Sequence, residues 1–264
     1  MKKYLVTGGA GFIGSSIAKA IGAEVFDIAQ GQDILNQTQL DEATKDVDGI
    51  FHCAAKISVP ESFEKTDEYY TVNVRGTENV NATKKKVVFS SSAAVYGTYN
   101  EKVREDVELK PESPYGQNKV DAEKILSTGP NIALRYFNVY PSREGVISKF
   151  IALAKENKDI TLVGDGNQVR DFIFIDDIVA ANIKAMEYQN KEFEVFNIAS
   201  GVGITMKELA EMIIRLSGSR SKIIHTPTRK GDVPFSIADI SKAKEKLGWE
   251  PKIALEQGLK KLLS

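Results

Sequence analysis

The strongest constraint on this chain sits at its beginning. Lys3–Thr7 is a short β-rich run, Gly8-Gly9-Ala10-Gly11-Phe12-Ile13-Gly14 contains G-x-x-G-x-x-G, and Gly11–Ile21 sets Ile13, Ile17 and Ile21 on one face of a helix. A strand that passes through spaced glycines into a helix has few uses other than holding a phosphate. Gly8 permits the tight turn, Gly11 lets backbone approach a pyrophosphate, and Gly14 lets helix and strand pack closely. The free N–H groups of the first helical turn and the positive end of the helix dipole then face the anion. The motif therefore predicts a dinucleotide site rather than an empty turn.

The rest of the first half repeats the strand–helix alternation. Glu24–Asp27, Gly49–His52, Val87–Ser90 and Ile132–Tyr136 read as strands. Leu40–Lys45, Thr66–Ala82 and Pro114–Leu126 read as helices, the last with Ser113 as its N-cap. This order predicts an α/β fold, a Rossmann doubly wound parallel sheet with helices on both faces. The second half is less regular. Val146–Glu156, Ile178–Glu187, Met206–Leu216 and Ile240–Leu247 read as helices, Val169–Ile175 as a strand, and Lys158–Asn167 as a turn-rich connection. The expected division is a Rossmann domain over residues 1–137, to which the chain returns around 172–198, and a smaller mixed α/β lobe over 138–264. No long linker separates the two, so a cleft between closely packed parts is expected.

Composition narrows the function. The 35 Lys and Arg against 36 Asp and Glu leave no positive excess for a phosphate backbone, which argues against a nucleic-acid partner. The single Cys53 forms no intrachain disulfide, and with only His52 and His225 a metal site is not expected. No apolar stretch approaches the ~20 residues of a membrane span, and the first apolar run ends too soon in glycines to be a signal peptide. A cytoplasmic location away from membranes is the expectation.

Asp27 closes the second strand, where a carboxylate meets a ribose diol and repels a 2′-phosphate, so NAD is expected rather than NADP. A helix cap or turn is the other use of such a residue, and Asp33 competes for a place near the adenine. Tyr115 and Lys119 stand four residues apart on one helical face. The ammonium is expected to lower the phenol's pKa, and a bound oxidised nicotinamide to lower it further, so that tyrosine serves as a base near neutral pH. Ser90-Ser91-Ser92 falls where a parallel strand emits its loop, and a hydroxyl there can hold a substrate oxygen. Y-x-x-x-K alone is a common surface pattern. Behind a glycine motif and a serine strand end it becomes specific.

Taken together, these motifs resemble the extended short-chain dehydrogenase/reductase family, and within it the NAD-dependent nucleotide-sugar epimerases. The resemblance runs nearly end to end, through Thr7–Gly14, His52–Ser62, Val72–Thr77, Ser90–Gly97, Ser113–Lys119, Leu134–Tyr140, Gly164–Phe172, Gly231–Val233 and Ala238–Pro251. It implies Tyr115 as catalytic base, Lys119 on the nicotinamide ribose and Ser92 on the reacting sugar oxygen. It implies a dinucleotide site made of Gly8, Gly11, Phe12, Ile13, Gly14, Asp27, Asp33, Ile34, Ala54, Ala55, Asn73, Ser90 and Tyr136, together with Tyr115 and Lys119. Asn138 and Arg170 are implied at the sugar diphosphate, Arg229 and Asp232 at the phosphate and uridine ribose, and Val163 near the base. Two arginines suit a diphosphate, which takes planar bidentate donors. A homodimer through Thr66–Ala82 and Pro114–Leu126 is likewise implied.

The positions after Ser92 bear on the reaction. Resembling dehydratases and decarboxylases carry acidic residues there, whereas this chain has Ala93 and Ala94, which carry no proton. The expected reaction is epimerisation of a UDP-sugar at carbon 4, interconverting UDP-glucose and UDP-galactose through a transient 4-keto sugar. Ser236, two residues after Pro234, is small enough to leave room for an acetamido group, so a 4-epimerase for N-acetylated UDP-hexosamines is the neighbouring alternative. A nucleotide-sugar reductase or dehydrogenase, and a non-catalytic nucleotide sensor on the same fold, are the others. The chain departs from the family pattern mainly by shortening. The segment after Asp27 is brief, Thr83–Lys86 is compressed, and Pro141-Ser142-Arg143-Glu144-Gly145 replaces a longer loop beside the sugar.

Overall fold

A computed structural model describes residues 2–143, 145–227 and 233–264. Strands β1 (Tyr4–Thr7), β2 (Glu24–Phe26), β3 (Gly49–His52), β4 (Lys86–Ser92) and β5 (Ile132–Tyr136) open the chain. They are interleaved with α1 (Phe12–Ile21), α2 (Gln37–Ala43), α3 (Val59–Glu64), α4 (Thr66–Tyr70), α5 (Gly76–Ala82) and α6 (Pro114–Leu126). There follow β6 (Asn138–Tyr140), α7 (Val146–Lys155), β7 (Ile160–Val163), β8 (Val169–Phe174), α8 (Ile175–Glu187) and β9 (Glu194–Ile198). The chain closes with β10 (Gly203–Thr205), α9 (Met206–Ser217), β11 (Ile223–Thr226), β12 (Phe235–Ser236), α10 (Ser241–Leu247) and α11 (Leu255–Leu263).

The central sheet has six parallel strands in the order β2-β1-β3-β4-β5-β9. Its middle strands are covered on both faces, which is why β3 and β5 are buried at every residue, the polar His52 and Arg135 included. From β1 the chain steps outward to β2, then crosses back to lay β3 on the other side of β1. That reversal creates a crevice at the carboxyl ends of β1 and β3, where open α/β sheets take their ligands. The dinucleotide sheet usually carries another strand outside β2. Here the chain between β2 and β3 holds a 3₁₀ turn at Ile28–Gln30 and the seven-residue α2, so β2 forms the sheet edge.

Several expected elements shift. The 158–167 connection contains strand β7, which pairs in parallel with β11; Ile160 and Leu162 point inward and supply the apolar contacts that a turn would lack. The expected helix over 66–82 is interrupted by a π-helical turn at Thr71–Arg75, which buries Asn73. Strand β4 runs on through Ser91 and Ser92, which pair with Arg135 and Tyr136. Around β8, strands β10, β12 and β6 form a second, mixed sheet. One apolar cluster runs from Val6, Phe51 and Val88 of the large sheet to Phe172, Phe174 and Leu209, so both sheets share a core. Among the described residues no helix is long and apolar enough to cross a membrane, and no group of His, Cys, Asp or Glu could hold a metal ion.

Candidate active site

The glycine turn stands at the crevice. Gly8 has a φ of 70°, the left-handed region, and a Cβ there would lie 2.5 Å from the Ala54 nitrogen. A Cβ on Gly14 would lie 2.2 Å from the Gly8 carbonyl oxygen, so α1 can approach β1 this closely only with glycine. Gly11, the N-cap of α1, offers no side-chain cap, and a Cβ on it would meet only the Gly8 oxygen at 3.2 Å. The first-turn N–H groups are thus left for an outside acceptor, which fits the pyrophosphate of a dinucleotide.

The acidic residues nearby are braced. Asp27 accepts from the Ala10 N–H through Oδ2 and from the Ala29 N–H through Oδ1, both at 2.9 Å. It therefore ties the glycine turn to the end of β2 and caps the following 3₁₀ turn, while a carboxylate's further lone pairs stay open to ribose hydroxyls. Asp33 accepts from Leu35 N–H at 2.9 Å, and Ile34 is buried with its side chain against Gly76. Phe12 is exposed on the first turn of α1, and Ile13 packs on the core. Ala54 lies beside Gly8, with the half-buried Ala55 following it. Asn73, held inward by the π turn, donates to the Lys56 carbonyl at 3.0 Å and accepts from the Lys56 N–H at 2.8 Å. It fixes the backbone that leaves β3 past the glycine turn.

Tyr115, Lys119 and the serines come together because α6 lies almost on the loop after β4. A Cβ on Gly116 would stand 2.5 Å from the Ala94 carbonyl oxygen. Ser113 caps the helix by accepting from the Gly116 N–H at 3.0 Å, as expected. Lys119 is buried and donates to the Ser90 carbonyl at 2.7 Å, with its ammonium 4.6 Å from the centre of the Phe89 ring and 5.8 Å from that of Tyr115. Ser90 Oγ in turn donates to Cys53 Sγ at 3.2 Å and reaches the Tyr136 hydroxyl at 3.4 Å. His52 bridges Thr7 and Thr77, and burial holds it neutral with a pKa near 3, so it serves the core.

The electrostatics correct one expectation. Burial pushes the Tyr115 phenol up to about 12; a hydrogen bond with Ser92 pulls the other way, and the neighbouring Tyr69 phenol adds to the rise. Lys119 holds its ammonium on the Ser90 carbonyl, and burial outweighs the other influences on the phenol. Burial also brings Lys119 down to about 8, against the pull of Cys53 and Glu123. This has a sign that can be checked. Lys119 titrates near 8 when folded and near its ordinary 10.5 when unfolded, so the unfolded chain binds more protons in between, and folding stability gains with rising pH. Cys53, raised from 9 to about 11, opposes this only at higher pH. For cofactor-free protein, the slope between about pH 8 and 9 should exceed that of Lys119→Met by up to ~1.4 kcal/mol per pH unit in urea unfolding. Equal slopes would contradict a buried, titrating Lys119.

From Ser92 a cleft of about 1010 Å³ opens between the two sheets. Tyr136, Asn138, Val163, Arg170 and Ser236 line it along with Ser92. Asn138 is oriented by donating to the Asp171 carbonyl at 3.0 Å, and the Arg170 Nη1 donates to the Val169 carbonyl at 3.0 Å. Arg229 and Asp232 lie outside the described residues.

A buried network behind these groups escapes a motif reading. Arg135 donates to Glu123 twice, from Nε at 3.0 Å and Nη2 at 2.7 Å, and Ser91 donates to the same carboxylate at 2.6 Å. Arg135 Nη1 also reaches the Tyr96 hydroxyl at 2.9 Å, which donates to Asn197 at 2.6 Å. The network ties α6, β4, β5 and β9 together directly behind Ser92 and Lys119. Its one sequence signal is that Glu123 follows Lys119 by four residues, on the same helical face. Asp171 is the second such group. Burial raises it to about 6, while Ser200, Ala238 and Gly201 donate to it and draw the 200–201 turn and Ala238 onto β8.

A six-stranded parallel sheet, a glycine turn at its switch point and Ser92, Tyr115 and Lys119 gathered at the next strand end define an extended short-chain dehydrogenase/reductase. More particularly, the chain belongs to the NAD dependent epimerase/dehydratase family, which matches residues 4–199, and NAD is its cofactor. Three solved structures show how far the likeness extends. UDP-glucose 4-epimerase of Thermotoga maritima with UDP-glucose is 33% identical at a TM-score of 0.90, over 98% of this chain and 96% of that one. UDP-N-acetylglucosamine 4-epimerase of Methanobrevibacter ruminantium, in complex with UDP-N-acetylmuramic acid, is 32% identical at 0.91, over 99% and 97%. UDP-glucuronic acid 4-epimerase of Bacillus cereus, with UDP-glucuronic acid and NAD, is 29% identical at 0.88, over 97% and 96%.

Proposed function

We propose that this enzyme epimerises a UDP-hexose at carbon 4, interconverting UDP-glucose and UDP-galactose through a transient 4-keto sugar. The observation that carries the reading is Ser92 at the cleft with the buried Tyr115 phenol beside it, followed by Ala93 and Ala94, which themselves carry no acid or base. In this reading the dinucleotide rests on the Gly8–Gly14 turn, with Asp27 and Asp33 on the adenosine side. Ile34, Ala54, Ala55, Asn73, Ser90 and Tyr136 line its course, and Lys119 meets the nicotinamide ribose. Residues 1–137, with the return around 172–198, form the cofactor domain, and 138–264 the substrate lobe. Asn138 and Arg170 hold the diphosphate, joined by Arg229 and Asp232, and Val163 lies by the base.

NAD, when bound, supplies the acceptor for the carbon-4 hydride and returns that hydride. The protein's part is positional and protonic. Ser92 holds the reacting oxygen, and Tyr115 takes its proton in one direction and gives it back in the other. With alanines at the two positions after Ser92, where resembling dehydratases and decarboxylases carry acidic residues, the ketosugar's course is to turn in the cleft and be reduced on its opposite face.

Ser236 on the cleft wall supports a second reading, in which N-acetylated UDP-hexosamines are also accepted. NAD-loaded protein given UDP-galactose should form UDP-glucose without added reductant. Stoichiometric consumption of NADH would indicate a reductase instead, and failure to interconvert any UDP-hexose pair would overturn the proposal.

A further inference from the structure

The charge of the cleft bears on which sugars enter it. Among its described lining residues only two are charged, Glu112 and Arg170. Arg170 comes from β8, paired there with β12 and β10. Glu112 comes from the segment just before α6 and lines the cleft with Ser92, Ala93, Ala94, Gly97 and Ser113, at the end where the reacting oxygen would sit. Its carboxylate is anchored, since Oε1 accepts from the Thr98 N–H at 3.0 Å. No ion pair to it is seen among the described residues, and Lys110, two residues before it, is paired with Glu108 at 2.8 Å. The side chain is exposed to the solvent of the cleft.

We infer that Glu112 is a specificity-determining residue that disfavours hexuronates, so that this enzyme selects neutral UDP-hexoses over UDP-sugars with a carboxylate at carbon 6. The inference rests on the proposed UDP-sugar reading and on its placing the sugar at the Ser92 end. A uronate differs from its hexose by a full negative charge close to the reacting carbon. In a cleft whose sugar end already holds a fixed carboxylate, that charge is repelled, and among the described lining residues Arg170 is the one cation. Arg170 stands on the far sheet, where the diphosphate is expected to occupy it. A carboxylate so placed costs a neutral hexose nothing and can accept from its hydroxyls.

The test compares dissociation constants of UDP-glucose and UDP-glucuronate for NAD-loaded protein by calorimetry, in wild type and Glu112→Gln. The glutamine is isosteric and keeps an acceptor for the Thr98 N–H. Wild type should bind UDP-glucose more tightly, and Glu112→Gln should narrow the ratio by about five- to tenfold, through the uronate, with the neutral sugar changed less than about twofold. Raising ionic strength should narrow the wild-type ratio and leave the variant's nearly unchanged. An unchanged ratio in Glu112→Gln, equal weakening of both ligands, or a wild type that prefers the uronate would overturn the inference. Because the readout is binding, it separates from the proposed reaction: selective binding without interconversion would remove the epimerase reading and leave charge selection standing. No binding of either sugar nucleotide would remove both.

Discussion

Tyr115→Phe is expected to lower kcat by about 10²–10⁴-fold, the range for losing a positioned proton-transfer group. The phenol is buried beside Ser92, and burial pushes its pKa up to about 12. Removing one oxygen leaves the ring in place beside Lys119 and leaves the glycine turn untouched. NAD content and thermal stability should therefore stay near wild type, while kcat and kcat/KM fall together, the signature of an interaction used in the transition state. Because burial pushes the phenol up, the positive charge of a bound oxidised cofactor would have to lower it. The wild-type rate should thus rise with pH across the range in which the bound phenol ionises, and the residual rate of Tyr115→Phe should not follow that limb. Near-wild-type turnover by the phenylalanine variant would remove Tyr115 from the chemistry.

Glu123→Ala should have the largest effect on stability. Arg135 and Glu123 are only 4% and 6% exposed at their side chains, so deleting the carboxylate strands a guanidinium in the interior. Breaking such a pair on one side costs about 3–5 kcal/mol. It also leaves the Ser91 hydroxyl without its acceptor. Urea unfolding should show the loss as a lower midpoint with little change in slope. The double variant Glu123→Leu/Arg135→Met should recover a substantial part of it, because a buried ion pair offsets its own desolvation poorly. Recovery should be incomplete, since Tyr96 and the Glu105 carbonyl lose their donor. A single variant within about 1 kcal/mol of wild type would mean that the pair is solvated after all.

How much of this was legible beforehand depended on whether a residue's task is local. The glycine turn is local: strand, turn and helix adjoin in sequence, and their geometry follows from spacing. Ser113 as a cap and the Tyr115–Lys119 face of α6 are local for the same reason. Strand β7 was missed because Ile160–Val163 is a four-residue run whose partner, Ile223–Thr226, arrives much later in the chain. The pKa of Tyr115 was not legible because spacing places the ammonium nearby but does not reveal how deeply the phenol is buried. Arg135 and Glu123 looked like ordinary charges in a strand and a helix. Glu112 had no signal, since its place in the cleft comes from the fold of the 97–113 segment against the loop after β4. The shortening after Asp27 was visible, and in the structure it makes β2 the sheet edge.

The most direct test of reversible oxidation at carbon 4 follows the hydrogen on that carbon. NAD-loaded protein would be given UDP-galactose carrying deuterium at carbon 4, in ordinary water and without added reductant. UDP-glucose with the deuterium retained at carbon 4 is the expected product, because the hydride leaves and returns without meeting solvent. Loss of the label to water, or no conversion of UDP-galactose by protein shown to contain NAD, would contradict the proposed reaction.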